Sequence, residues 1–371
     1  GRTVCASGLS TINKSNIIYA LCRLKGVTAF CLASDEKEAQ TLCNDLSCMG
    51  LRAYVYPVRD FNFLDFQSRS HEYEHARLKV LLKLLNHECD VAIACVDAAA
   101  QLTVPRNVLE QSVIEFEEGR ELSLEKATKA LTLLGYERFD AVEGSGQFSL
   151  RGGILDFFMP DSDYPVRCEF WGDEITDLSY FDIETQRRFK KADKITLSPS
   201  TEIVIEDRAA LADKIEHKAK LLRSKNSAKA KEKLFSEAEL IRSGAMIANA
   251  DKFINQIYDK PESLFDYLDR NTLVFASEFT AIQERGKSMD FISNETLMQG
   301  FEDGTLCRGF DRFALTFNEC TEFLQSHGTI VLENFVHGSM LIKLSEIISF
   351  STKQLSAWGG SYKQLKEDVD G

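Results

Sequence analysis

The feature that most constrains this chain is a change of rhythm that happens twice. Residues 3–6, 27–33, 52–58 and 91–96 are short, apolar and strand-like, while 13–24, 35–49 and 74–86 repeat apolar residues at helical spacing. Asp35 and Glu38 stand in capping-box spacing ahead of the second of those helices. Strands separated by helices of this length predict a parallel sheet with right-handed crossovers. After Pro105 the pattern shifts: one amphipathic helix over 122–134, closed by Gly135, precedes short strands over 136–197. The turns between them include Gly144-Ser145-Gly146, Gly152-Gly153, Asp161-Ser162-Asp163 and Gly172-Asp173. Such spacing predicts a small, mostly antiparallel sheet. Strand-like runs then return at 272–276 and 329–332. The expected organisation is an α/β domain split between 1–104 and 201–371, with a small α+β domain inserted over 105–200.

Charge and cysteine usage narrow the class. The 371 residues carry a net charge of −13, which argues against affinity gained by blanketing nucleic-acid phosphates. No apolar run approaches the ~18 residues of a membrane span, and the start lacks a basic-then-apolar leader. The ten cysteines contain no C-x-x-C pair and mostly sit in apolar segments, so reduced thiols and a cytoplasmic location are expected. Gly1-Arg2, with no initiator methionine, reads as a scar and predicts a longer parent chain. A lysine-rich helix is expected over 217–233, either a solvated linker or a phosphate-contacting element.

One motif lies between the first strand and the first helix. Gly8-Leu9-Ser10-Thr11-Ile12-Asn13-Lys14-Ser15 approximates G-x-x-x-x-G-K-[ST], with Asn13 in place of the second glycine. That glycine lets the loop amides face phosphate, and the lysine reaches the β/γ oxygens. The strand over 273–276 ends in Ser277-Glu278, where an ATPase would carry the aspartate that holds Mg²⁺. Two lesions in one ATP apparatus predict a degenerate, non-functional nucleotide loop comprising Gly8, Asn13, Lys14, Ser15, Ser277 and Glu278. His71-Glu72-Tyr73-Glu74-His75 matches H-E-x-x-H, but no third ligand spacing is evident, so no metal is expected.

The densest unusual stretch runs from Gly146 to Arg188 and sets arginines among aromatics on adjoining strands. Phe148, Phe157 and Phe170 read as core. Arg151, Arg167 and Trp171 are residue types found at interface hot spots. Arg167 and Trp171 are four apart, so period-2 alternation puts both on one face, with Glu169 between them. The opposing reading makes Trp171 core and the arginines ordinary surface.

The run Gly135-Tyr136, Gly146-Gln147-Phe148-Ser149-Leu150-Arg151-Gly152-Gly153-Ile154-Leu155-Asp156, Gly172-Asp173-Glu174-Ile175 and Phe181-Asp182 resembles the UvrA-interaction domain of bacterial transcription-repair coupling factors (Mfd), a domain related to one in UvrB. Tyr56-Pro57, Arg77-Leu78 and Leu264-Phe265-Asp266-Tyr267-Leu268 extend the resemblance to nearly the whole chain, as the amino-terminal UvrB-like module of that family. The resemblance implies a RecA/helicase-like P-loop domain that has lost ATP hydrolysis and needs no cofactor, split by an inserted domain that recruits UvrA for nucleotide excision repair. It implies masking of that domain by a carboxy-terminal domain of the full-length protein, and contact with RNA polymerase and DNA through an ATP-driven translocase region that lies elsewhere. By position it assigns UvrA contact to Arg151, Arg167 and Trp171; the family often has phenylalanine at the last. Residues 246–258 fit the family pattern loosely. A working ATP-dependent helicase-type repair subunit is the competing expectation, and Asn13 and Ser277 argue against it.

Overall fold

Continuous apolar strands, flanked by helices with one apolar face, dictate how the chain begins. The structure, a computed structural model, describes residues 1–59, 71–222, 227–245, 250–335, 339–351, 360–363 and 366–367. Strands β1 (Val4–Ser7), β2 (Ala29–Ala33), β3 (Ala53–Val55) and β4 (Val91–Cys95) alternate with helices α1 (Thr11–Lys25), α2 (Glu36–Cys48) and α3 (Glu72–Leu85). The Asp35 side chain caps α2 by accepting from the Glu38 amide. Every residue of β2 and β4 is buried, as befits strands covered on both faces.

After two short helices, α4 (Val96–Ala100) and α5 (Arg106–Gln111), the β-rich tract follows. It comprises β5 (Ile114–Glu117), α6 (Leu124–Leu133), β6 (Glu137–Arg138), β7 (Gln147–Arg151), β8 (Ile154–Phe157), β9 (Val166–Trp171), β10 (Glu174–Phe181), β11 (Arg188–Lys191) and β12 (Lys194–Leu197). Strands β6 to β11 form a six-stranded sheet in sequence order, antiparallel except for the β6–β7 pair, while β5 and β12 make a separate antiparallel ribbon. One face of that sheet closes on α6 and the ribbon around Phe116, Phe148, Leu155, Phe157 and Leu178. Phe148, Phe157 and Phe170 are core, and Gly135 ends α6 at φ 88°.

The chain then runs through α7 (Arg208–Leu221), α8 (Ser227–Ser243), α9 (Ile254–Ile257), β13 (Leu273–Ser277), α10 (Phe279–Asp303), α11 (Phe317–His327), β14 (Thr329–Leu332) and β15 (Glu346–Ser349). Among the described residues the central sheet has seven strands in the order β15-β1-β14-β13-β2-β4-β3, all parallel. Strands from before and after the β-rich tract therefore interleave in one sheet. Helices α1 and α2 cover one side, and α3, α4, α10 and α11 the other.

The expectation of one lysine-rich helix over 217–233 is corrected. Two helices, α7 and α8, lie antiparallel instead, and residues 223–226 between them fall outside the described part. Arg242 near the end of α8 bonds Asp213 and Glu216 of α7, and Arg208 reaches the Ala245 carbonyl. Alanines hid the apolar stripe: Ala212, Ile215 and Ala219 pack on Leu234, Ala238 and Ile241, with Phe253 and Phe310 closing a small core. The tract is a packed helical hairpin, not a solvated linker. Of the loosely fitting segment 246–258, residues 246–249 also lie outside the described part.

The two crossings between the layers lie side by side. Thr103 Oγ1 donates to Glu202 Oε2 at 2.7 Å, and the buried Arg77 guanidinium donates to both Glu202 oxygens, at 2.6 and 3.3 Å, while lying over the Tyr56 ring. Glu74 of α3 accepts from the Thr201 hydroxyl and the Glu202 amide, each at 2.8 Å. Charge and hydrogen bonding thus join the β-rich tract to the parallel sheet, beside Leu102, Val104 and Ile203, which pack in the core of that layer.

Candidate functional site

Where the sequence suggests a phosphate loop, the backbone turns helical early. Helix α1 starts at Thr11, and the Asn13 and Lys14 amides both donate to the Ser10 carbonyl, at 3.0 and 3.1 Å. Gly8 has φ 81°, and a Cβ there would fall 2.1 Å from the Phe350 carbonyl oxygen, so only glycine fits where the end of β15 crosses. The Lys14 side chain is buried. Its ammonium donates to Glu278 Oε1 at 2.5 Å and Ser277 Oγ at 3.1 Å, with Glu38 Oε1 at 3.5 Å. Ser277 in turn donates to Glu38 at 2.6 Å, and Ser15 donates to Asp45 at 3.0 Å.

Position is enforced from the strand ends. Glu278 caps α10 with φ 56°, a left-handed conformation uncommon outside glycine, and also accepts from the Asn334 amide at 3.0 Å. Beside it, buried Glu333 accepts from the Phe279 amide at 2.7 Å. Burial, reinforced by the charge of Glu278, raises the Glu333 carboxyl above the ordinary range. The structure therefore gathers Gly8, Asn13, Lys14, Ser15, Ser277 and Glu278 at one end of the sheet. Glu38, Glu333 and Asp45 join them, partners that sequence spacing gave no way to find.

The H-E-x-x-H string lies at the start of α3. His71 Nδ1 sits 3.0 Å from Glu74 Oε2, and the His71 and His75 rings stack with centroids 6.0 Å apart. Among the described residues no group of three or more His, Cys, Asp or Glu side chains is placed to hold a metal ion.

The second cluster lies on the six-stranded sheet, on the face opposite its core. Alternation puts Phe148, Leu155, Val166, Cys168 and Phe170 inward, and Arg151, Asp156, Arg167, Glu169 and Trp171 outward. Strands β7 and β9 run in the same direction with β8 between them. Each ends in a two-residue hairpin turn. Arg151 pairs with Ile154 across Gly152-Gly153, and Trp171 with Glu174 across Gly172-Asp173. Gly152 at φ 61° supplies the positive φ that such turns require. Arg151 and Trp171 therefore stand at the same end of the sheet.

A single buried carboxylate organises the arginines. Asp156, 1% exposed, accepts from Arg167 Nε at 2.7 Å and Nη2 at 2.8 Å, and from Arg151 Nη2 at 2.8 Å. Arg167 also lies over the Phe181 ring, 4.3 Å from its centroid, and bonds the Gln186 carbonyl and side chain. The hydrogen bond to Asp156 holds its guanidinium charged, with a raised pKa. Next along the face, Arg188 bridges Glu169 and Asp177. Trp171 is 81% exposed, which removes the reading that it is core. Sequence reasoning missed Asp156, Asp177, Gln186 and Arg188. Asp156 had one signal, an acid inside the otherwise apolar run Ile154-Leu155-Asp156-Phe157.

Comparison with known proteins falls on the same sheet. Residues 114–203 match the family model of the UvrB interaction domain. The whole chain is similar to the transcription-repair-coupling factor of Bacillus subtilis, 26% identical over 98% of this chain and 32% of the relative. Proteins of the same name from Staphylococcus epidermidis and Staphylococcus aureus are 25% and 22% identical, each over 85% of this chain and 27% of the relative. The chain thus spans about a third of the length of the curated relatives it matches. Both comparisons bear out the resemblance to transcription-repair coupling factors.

Proposed function

We propose that this chain is the amino-terminal, UvrB-like module of a transcription-repair coupling factor, and that its inserted sheet recruits UvrA in transcription-coupled nucleotide excision repair. The observation that carries the reading is Trp171. An indole left 81% exposed at a hairpin end, on the same face and at the same end of the sheet as a half-exposed arginine, has the make-up of an interface anchor without its partner. The UvrB interaction domain match spans this sheet. Contact with RNA polymerase and DNA through regions outside this chain, and masking of the sheet by a carboxy-terminal domain, belong to the same proposal. So does a cytoplasmic location; among the described residues no helix is long and apolar enough to cross a membrane.

The α/β layer acts in this reading as a scaffold that neither binds nor hydrolyses ATP. Two features support it: the Lys14 ammonium is held by Glu278 and Ser277, and the Asn13 and Lys14 amides are spent on the Ser10 carbonyl. The test pairs two measurements on the same preparation. Immobilised chain should retain UvrA, and isothermal titration with Mg-ATP should give no heat of binding. Failure to retain UvrA overturns the docking role, whereas micromolar ATP binding overturns the scaffold role and revives a helicase-type subunit.

A further inference from the structure

Arg151 and Arg167 both bond Asp156, yet they are not equivalent. The Arg167 side chain is 12% exposed, and each guanidinium nitrogen already donates within the sheet: Nε to Asp156, Nη2 to Asp156 and Gln186, Nη1 to the Gln186 carbonyl. Its flat face is covered by Phe181. Arg151 is 52% exposed and is held through Nη2 alone. Two guanidinium groups on one carboxylate leave a single positive charge, and the exposed donors that carry it belong to Arg151.

We infer that Asp156 and Arg167 are positioning residues of the docking face, and that Arg151 with Trp171 makes the contact. The inference rests on the proposed UvrA-docking reading and assigns roles within it. Burying a carboxylate is costly unless it is paired and hydrogen-bonded. Arg167 provides the rigid two-point grip, because Nε and Nη2 match the two carboxylate oxygens. Asp156, so held, presents Oδ2 to Arg151 and aims the rest of that guanidinium outward. The partner group that suits Arg151 is a carboxylate, taken up by the donors that Asp156 leaves free.

A double-mutant cycle on the whole chain separates positioning from contact. UvrA affinity and melting temperature are measured for the parent, Arg151→Ala, Arg167→Met and the pair. Arg151→Ala should weaken binding roughly thirtyfold. Arg167→Met should weaken it roughly tenfold in the parent, but under about twofold once Arg151 is alanine, because nothing is left to aim. Arg167→Lys, which keeps the charge and loses the fork, should follow Arg167→Met, and it carries the cycle if the methionine variant melts early. Losses that add with unchanged melting would make Arg167 a contact in its own right and overturn the inference. Equal losses in both backgrounds with lower melting would make Arg167 merely structural and overturn it too. A different result marks failure of the underlying reading: Arg151→Ala and Trp171→Ala would both bind UvrA like the parent.

Discussion

At the head of α1 one ammonium meets two carboxylates and a hydroxyl inside the protein; on the outer face of the inserted sheet one carboxylate meets two guanidinium groups at the surface. The chemistry is shared, but the direction of the surplus differs. Around Lys14 the donors are used internally, with Glu278 and Ser277 at bonding distance and Ser15 turned to Asp45. Around Asp156 the surplus is a cation that faces water, at the same end of the sheet as an uncovered indole. A network that closes on itself stabilises a scaffold. One that leaves a charge and an apolar surface outside is suited to a partner.

The comparison breaks if the two networks turn out to be interchangeable. The largest effect is expected at the closed one. Lys14→Met leaves Glu278 and Glu38 without their shared cation and should cost about 3–5 kcal/mol of stability, read as a lowered denaturation midpoint. UvrA affinity of the remaining folded protein should stay as in the parent, and a matching fall in affinity would mean the two networks are coupled.

Next in size is the junction that joins the two layers, where acid is the probe. Burial alone would raise the Glu74 carboxyl, but hydrogen bonds from His71, Thr201 and the Glu202 amide, with the charge of Arg59, bring it from 4.5 down to about 2. A carboxylate with a depressed folded pKa stabilises fully above the unfolded value, so its contribution persists above about pH 4.5 and is lost as pH falls through about 2. Glu74→Gln should remove up to about 3 kcal/mol at neutral pH and flatten that part of the acid unfolding curve. An unchanged curve would mean that Glu74 does not hold the junction.

The smallest effect belongs to a cysteine in neither network. All ten thiols are free, and Cys48 is exposed at the end of α2. Burial raises Cys22 to about 11 and Cys89 to about 12, so neither is primed to react. A thiol reagent should modify Cys48 first and shift stability by less than about 0.5 kcal/mol, with UvrA binding unaffected. Faster reaction at Cys22 or Cys89, followed by mass spectrometry of labelled peptides, would contradict the packing described for the sheet.

Much of this architecture was legible because local signals agreed with the global fold. Buried runs such as Ala29–Ala33 and Val91–Cys95, helices capped at Asp35 and closed at Gly135, and glycine turns at 152 and 172 each identify their element unaided. The α7–α8 hairpin was not legible, because Ala212, Ala219 and Ala238 complete its contact surface and a hydrophobic pattern undercounts alanine. Site residues divided the same way. Alternation placed Arg167, Glu169 and Trp171 on one face, but the network partners come from afar: Glu38 and Ser277 are 239 residues apart, and Glu202 lies 125 from Arg77. No spacing rule reaches across an inserted domain, and a carboxylate in an apolar strand announces burial without naming its cation.

The open face, not the closed loop, carries the function in this account. Its most direct test is the UvrA affinity of Trp171→Ala beside that of the parent, both first checked for equal melting. Because the indole is 81% exposed, its removal should leave stability unchanged while UvrA binding weakens by about 2 kcal/mol, roughly thirtyfold. Equal affinity with equal melting would contradict the account and move the docking surface elsewhere.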